Sequence, residues 1–291
     1  MFTRMSHTTG STLPYRLFKK HHTEIHQLYW SHMLVAKQTL NAVKKKDKRT
    51  KPTTVFPVSR KLTRYIAPTL DLWEQDFKDF NNWVRLSAAV AINSYMEIYL
   101  RKISTLAIES NPGILIGAPG AIDGVKLLKS RNDYHYSEYA VHFVKGDWNT
   151  RVAHYERLFG KAPTALKEHV KELNELRKMR NGVGHSFGRS VDDYEHGLPI
   201  EVKPMMRLSE ERFVQWLRMA DEVALAVDDH LRAEHIGEYE MLVYYHTWLR
   251  RSRLETQEDE AAALMSSMAD EMDIHQPLEY ARGLIRYYRE S

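Results

Sequence analysis

The sequence predicts an all-α protein, and three observations support this fold class. Apolar residues recur at steps of three and four over several long segments, which is the spacing of one helix face. The 291 residues are 43% hydrophobic, which is enough for a sizeable core. Prolines and glycines cluster between the periodic segments, where they stop helices. We therefore expect one large helical domain or two small ones, joined by short irregular segments.

Residues 1–70 predict one helix followed by a basic, irregular extension. The composition from Pro14 to Leu40 is compatible with an amphipathic helix. The stretch from Lys44 to Pro52 is too charged to bury itself, so it predicts a solvated loop. Prolines up to Pro68 then keep the chain extended or turning.

Residues 71–235 predict a helical bundle, and residues 236–291 a C-terminal helical extension. A long helical pattern runs from about Asp71 to Ser110, where Asn111-Pro-Gly113 stops it. The glycine-rich run 114–124 lacks the Gly-Lys-Ser/Thr of a phosphate-binding loop and predicts an ordinary loop. A further loop is expected at 189–207 and a closing helix at 209–231. Two or three more helices should follow, separated by an acidic stretch at 255–260 and by Pro277.

The segment 176–188 contains the most informative residues of the chain, Arg180, Asn181 and His185. Apolar residues before it repeat at helical spacing, and Arg180 extends their face. In a continuous helix, five residues would rotate His185 about 140° away from Arg180. Gly182 and Gly184 are expected to end the helix, with Asn181 at its end, so that the imidazole turns back.

Arg180, four intervening residues and His185, with Asn181 directly after the arginine, resemble the R-x(4 to 6)-H signature of HEPN domains. Many members of that family are metal-independent ribonucleases. The predicted helix 82–109, which contains Glu97, is similar to an early helix of the HEPN bundle, and the helix 209–231 to the closing one. The resemblance covers roughly residues 71–235 and implies a HEPN-like antiparallel bundle.

Metal-independent RNA cleavage needs a general base, a general acid and a cation that holds the phosphate. His185 is the candidate acid or base and Arg180 the phosphate clamp, and Asn181 would position either the histidine or the phosphate. Glu97 is a weaker candidate, which either orients Arg180 or takes part in the chemistry. A purely structural alternative pairs Arg180 with Glu97 or another buried carboxylate, while His185 caps a turn.

The resemblance also implies an endoribonuclease that needs neither metal nor cofactor. Attack by the ribose 2′-hydroxyl would give a 2′,3′-cyclic phosphate. The motif helices of two protomers would face each other, so we expect a homodimer with a composite active site. Family analogy places such an enzyme in phage defence, a toxin system or a stress response, with an inhibitor or regulatory protein as a further partner. The alternative is an inactive RNA-binding, nucleotide-binding or dimerisation module.

Positive charge is concentrated at one end of the chain. Residues 1–66 contain 14 of the 42 Lys and Arg residues but only two acids, Glu24 and Asp47. A basic segment beside an acidic body suits a polyanion, and RNA is the expected partner. The candidate RNA-binding residues are Lys44, Lys45, Lys46, Lys48, Arg49 and Lys51.

Several classes of protein are excluded or disfavoured. The absence of cysteine excludes thiol catalysis, thiolate zinc sites and disulfides. His22 and His26 are four residues apart, but no third ligand follows at a suitable spacing, so no metal site is expected. The apolar runs are too short for a membrane span, and no secretory signal is recognised. We therefore expect a cytoplasmic protein without a membrane partner.

Overall fold

The computed structural model describes residues 2–130, 135–187, 204–252 and 260–291, and within these ranges the chain is helical, with no β-strand. This confirms the all-α prediction. The α-helices are α1 (Leu13–Lys44), α2 (Leu70–Ser110), α3 (Gly124–Lys129), α4 (Trp148–Phe159), α5 (Thr164–Glu168), α6 (Val170–Ser186), α7 (Glu210–Leu231), α8 (Tyr239–Arg251), α9 (Glu260–Met272) and α10 (Leu278–Glu290). Shorter 3₁₀ turns connect several of them, and a π-helical turn follows α7.

The long helices agree closely with the sequence predictions. Helix α1 extends a few residues beyond the predicted 14–40, and α2 continues without a break for 41 residues until Pro112 ends it. Helix α7 matches the predicted closing helix. Three helices occupy the described part of residues 236–291, where two or three were predicted. Most of the loop expected at 189–207, and the acidic stretch apart from Glu260, lie outside the described residues.

The chain forms two compact units, each built from separate segments. Unit 1 contains Met1–Lys19, Met96–Lys171 and Asp221–Ser291, and unit 2 contains Lys20–Tyr95 and Glu172–Ala220. This grouping runs through the long helices. This grouping therefore does not test the domain boundaries that the sequence predicts after residues 70 and 235. Those boundaries stay a prediction.

Unit 2 is a packed group of helical segments from α1, α2, α6 and α7. The ring of Tyr29 in α1 contacts that of Phe213 in α7, with centroids 4.6 Å apart. His22 is buried, and its Nε2 lies 2.9 Å from the Leu217 carbonyl oxygen. An ion pair between Arg212 and Glu175 joins α7 to α6. These contacts hold the helix that carries Arg180 and His185 within the unit.

Unit 1 has an aromatic core and an N-terminal segment held by buried carboxylates. Thr12 donates its backbone N–H and its hydroxyl to Asp228, and the backbone N–H of Thr8 donates to Glu238 over 2.6 Å. Gly237, at φ +52°, lies so close to the Arg4 carbonyl oxygen that a side chain would overlap with it. The segment is therefore attached through both backbone and side-chain contacts. Helices α8, α9 and α10 pack against one another nearby.

Candidate functional site

Helix α6 continues through the motif, so the prediction that the glycines end it at Asn181 is wrong. The helix reaches Ser186, and the backbone N–H of Phe187 still donates to the Val183 carbonyl over 3.0 Å. Each glycine weakens a helix by about 1 kcal/mol relative to alanine. The side chain of Val183 is buried, however, and continues the apolar face of Leu176 and Met179. Burial of an aliphatic side chain contributes about 1.5–3 kcal/mol, which offsets much of that cost.

The continuous helix determines how the motif residues are arranged. His185 lies five residues after Arg180, so the two side chains leave the helix about 140° apart. The imidazole does not turn back, contrary to our expectation. Arg180 is half-buried and donates from Nη1 to Asn181 Oδ1 over 3.0 Å, whereas His185 is exposed. Asn181 thus positions the guanidinium, while His185 is accessible to a ligand.

Glu97 lies in unit 1 and is half-buried, and it forms an ion pair with the buried Arg151 that the sequence did not predict. Its carboxylate accepts from Arg151 Nη2 over 3.1 Å. Arg151 also donates to the carbonyl oxygens of Val144 and Gly146, and its guanidinium lies 4.7 Å from the centre of the Trp148 ring. This carboxylate therefore has a structural role, whatever its contribution to chemistry.

The basic loop after α1 is tied to the start of α2. Its carbonyl groups at Lys48 and Thr50 accept from the backbone N–H groups of Asp71 and Leu70. Lys48 forms an ion pair with Glu74, and hydrogen bonds from Lys48 and Lys78 lower the pKa of that carboxyl to about 2. The other basic candidates are exposed: Lys44, Lys45, Lys46, Arg49 and Lys51. Lys48 therefore has a structural role, and the remaining five are accessible to phosphate.

An exposed row of aromatic rings lies beside the end of α6, and the sequence analysis missed it. Phe80 and Trp83 are one turn apart on α2, with ring centroids 6.0 Å apart and planes inclined by 11°. The ring of Phe187, directly after α6, lies 5.6 Å from that of Trp83 at 16°. The i, i+3 spacing of Phe80 and Trp83 indicates that their rings share one face of α2. The contact with Phe187 joins residues more than a hundred positions apart, so the sequence did not predict it.

The two histidines of the pair pack against each other, and glycines at both ends of the glycine-rich segment permit close packing of the backbone. In the described part of the chain, no group of three His, Asp or Glu side chains could hold a metal ion. His22 packs in the core instead, with its ring centroid 4.8 Å from that of His26. A side chain at Gly113 or Gly124 would overlap with a backbone carbonyl oxygen, so these glycines permit close packing.

No helix in the described ranges combines the length and apolar character that a membrane crossing requires. Comparison of the chain with protein-family models, with curated proteins and with solved structures finds no match. The functional assignment therefore depends on the residues of this chain and on their geometry.

Proposed function

We propose that this protein is a metal-independent endoribonuclease of the HEPN type. The observation that carries the proposal is an amphipathic helix that ends with Arg180, Asn181 and His185, packed within an all-helical unit. The guanidinium is oriented by Asn181, and the imidazole is exposed at the last turn. The guanidinium would supply the phosphate clamp and the accessible imidazole the proton-transfer group that the reaction needs.

In the proposed reaction, His185 moves a proton and Arg180 stabilises charge. One imidazole removes the proton of the ribose 2′-hydroxyl, whose oxygen attacks the adjacent phosphorus, while an acid protonates the leaving 5′-oxygen. The products are a 2′,3′-cyclic phosphate and a free 5′-hydroxyl. Arg180 would hold the phosphate oxygens as they gain negative charge.

A single chain supplies only one imidazole, and that imidazole leaves α6 about 140° away from Arg180. The HEPN-like arrangement, in which the α6 helices of two protomers face each other, would bring the arginine of one chain towards the histidine of its partner. The proposal therefore includes a homodimer.

The same 140° separation favours the alternative, an RNA- or nucleotide-binding module without catalysis, if the protein is a monomer. A defence, toxin or stress setting and a regulatory protein partner belong to the proposal only through the family analogy.

The test is incubation of purified protein with total RNA in EDTA, with analysis of the 3′ ends. His185→Ala and Arg180→Ala should each lower the cleavage rate by ~10²–10⁴, the usual loss when a positioned acid or base is removed. His275→Ala, which changes an exposed histidine of unit 1, is the matched control and should cleave normally.

Sedimentation of the same samples tests the assembly. The wild type should sediment as a dimer, and a mixture of the Arg180→Ala and His185→Ala proteins should recover part of the activity through mixed dimers. Cleavage at the wild-type rate by both single variants would refute the nuclease proposal. A monomer at micromolar concentration would refute the composite site and support the binding module.

A further inference from the structure

We propose that Phe80, Trp83 and Phe187 form a platform on which the bases of single-stranded RNA stack. We use the name aromatic platform for these three residues, all of which lie in unit 2. The inference rests on the proposed function, because it identifies which part of the substrate is bound beside His185. It assigns to the site a preference for unpaired RNA, whose bases are free to stack on aromatic side chains.

Two of the three rings of the aromatic platform are exposed although they are large and apolar, and the third, Phe187, is half-buried. Phe80 is 47% exposed and Trp83 is 41% exposed. The rings follow one another at 6.0 and 5.6 Å with planes inclined by only 11° and 16°. Such offset, nearly parallel rings leave their faces in a common orientation. An exposed apolar surface with this regularity indicates a binding site. His32 meets the Phe80 ring edge-on at 76°, so we place the base on the part of the Trp83 indole that its neighbours leave uncovered.

The platform is held rigidly by its neighbours. Asn82, next to Trp83, is buried and accepts from the Leu208 N–H over 2.9 Å, while its side-chain amide donates to the Met206 carbonyl over 2.8 Å. Arg85 donates to the Leu208 carbonyl over 2.6 Å. The rings of this part of α2 are therefore positioned before any ligand binds, which reduces the entropy lost on binding.

Phe187 occupies an unusual position for its residue type. Its φ of +53° is in the left-handed region, where the residue after a helix is normally glycine or asparagine. A bulky side chain there is unfavourable, and such strain often marks a functional site. In this conformation Phe187 directs its ring against Trp83, two residues after His185. Two residues span at most about 7.6 Å between Cα atoms, so the backbone that carries the platform ring is close to the backbone that carries the imidazole.

Charge in unit 2 favours a polyanionic ligand. The residues of this unit include 21 Lys and Arg against 14 Asp and Glu, whereas the chain as a whole carries a net charge of +4. The described cations nearest the platform in sequence already have contacts, because Lys78 pairs with Glu74 and Arg85 donates to the Leu208 carbonyl. The general attraction for RNA thus comes from the whole unit, while the platform contributes stacking, which tolerates any base sequence.

The experiment measures binding apart from cleavage, in the His185→Ala background. The probes are a fluorescently labelled single-stranded oligoadenylate and an abasic ribose-phosphate oligomer of the same length. Trp83→Leu should weaken oligoadenylate binding roughly 5- to 150-fold, which corresponds to about 1–3 kcal/mol per stacked base. Affinity for the abasic oligomer should stay unchanged, because it has no base to stack.

Two matched variants complete the design. Trp30→Leu removes a tryptophan of the same unit that is similarly exposed, at 38%, but meets Tyr29 edge-on at 71°. It should bind both oligomers as the parent does. Trp83→Phe keeps an aromatic face and should retain most of the affinity. If Trp83→Leu fails to fold, Phe80→Leu takes its place in the comparison.

The outcomes separate this inference from the proposed function. Unchanged oligoadenylate affinity in Trp83→Leu, or equal losses for the oligoadenylate and the abasic oligomer, would overturn the platform while leaving any cleavage by the wild type intact. A wild type that does not cleave RNA but binds bases through Trp83 would overturn the nuclease and retain the platform. Loss of dimer in Trp83→Leu without loss of RNA affinity would show that the rings form an interface between copies, which overturns the inference.

Discussion

Two arginines show how differently the two units use a positive charge. Arg151 of unit 1 is only 4% exposed and is surrounded by the Glu97 carboxylate, backbone carbonyls and the ring of Trp148. Arg180 of unit 2 is oriented by its neighbour Asn181 and retains contact with solvent. Arg151 is almost fully enclosed and holds unit 1 together, whereas Arg180 is half-buried, and in the proposed function its solvent-facing part meets a phosphate group.

The same contrast extends to the other ionisable groups. In unit 1, Asp228 and Glu238 are buried and hold the N-terminal segment through Thr12 and Thr8. In unit 2, His185 is exposed beside an exposed row of rings. We infer that unit 1 contributes mainly stability and that unit 2 presents the ligand-binding surface.

The largest expected effect on stability comes from the buried pair of unit 1. Glu97→Gln keeps the side-chain volume and removes the carboxylate charge that pairs with buried Arg151, which should lower the free energy of unfolding by about 3 kcal/mol, the lower end for a buried pair because Glu97 is half-buried. Urea denaturation measures this loss. His185→Ala, an exposed substitution, should change the same quantity by less than about 0.5 kcal/mol.

The control for this substitution is Glu279→Gln, which breaks an exposed ion pair with Arg282. Such pairs contribute about 0–1 kcal/mol. If Glu97→Gln keeps its stability but stops cleaving RNA, the glutamate acts in catalysis, as the sequence suggested, and the division of roles between the units fails.

The second expected effect is a dependence of stability on pH that has opposite signs in the two units. Burial raises the pKa of Asp228 to about 6, although the hydrogen bonds from Thr12 and the charge of Arg232 act to lower it. Burial also raises the pKa of Glu240 to about 7. A raised carboxyl pKa favours the protonated form in the folded state, so its stabilisation is complete below the usual pKa and is lost as pH rises through the raised value.

Unit 1 should therefore lose stability between about pH 4 and pH 7, by roughly 3 kcal/mol for the shift of about two pKa units at Asp228. Urea denaturation across this range measures the slope, and Asp228→Asn should flatten it. Asp229→Asn, at a neighbouring and largely exposed position, is the control. Glu74 of unit 2, whose pKa is lowered to about 2, loses its contribution only as pH falls below about 4. A slope that survives Asp228→Asn would assign the pH dependence to other groups.

The sequence was sufficient for the long helices because their periodic apolar faces and the residues that stop them are local features. It was insufficient at the end of α6. Glycine propensity predicted a stop there, but burial of Val183 outweighed it, and that burial depends on helices distant in sequence. The pairing of Glu97 with Arg151 and the stacking of Phe187 on Trp83 also required the structure, because each contact joins residues that are distant in sequence. The identity of the motif residues was evident, whereas their relative orientation required the structure.

The smallest expected effect concerns the basic loop, which lies in unit 2 with the proposed site. Changing the five exposed residues Lys44, Lys45, Lys46, Arg49 and Lys51 to Gln should weaken RNA binding, because neutralised phosphates release counterions. Each phosphate contact that is lost should reduce the salt slope of single-strand binding by roughly 0.7. Lys48 is left in place because its ion pair with Glu74 anchors the loop to α2.

Binding of the oligoadenylate at several salt concentrations gives this slope. Changing five exposed cations of unit 1 to Gln provides the charge-matched control: Lys126, Arg250, Arg251, Arg282 and Arg286. The loop variant should still cleave at saturating RNA, because Arg180 and His185 are unchanged. A slope equal to that of the parent would show that the loop faces solvent alone. A larger loss of RNA affinity in the unit 1 variant would show that RNA binds to unit 1. It would contradict the assignment of the ligand-binding surface to unit 2.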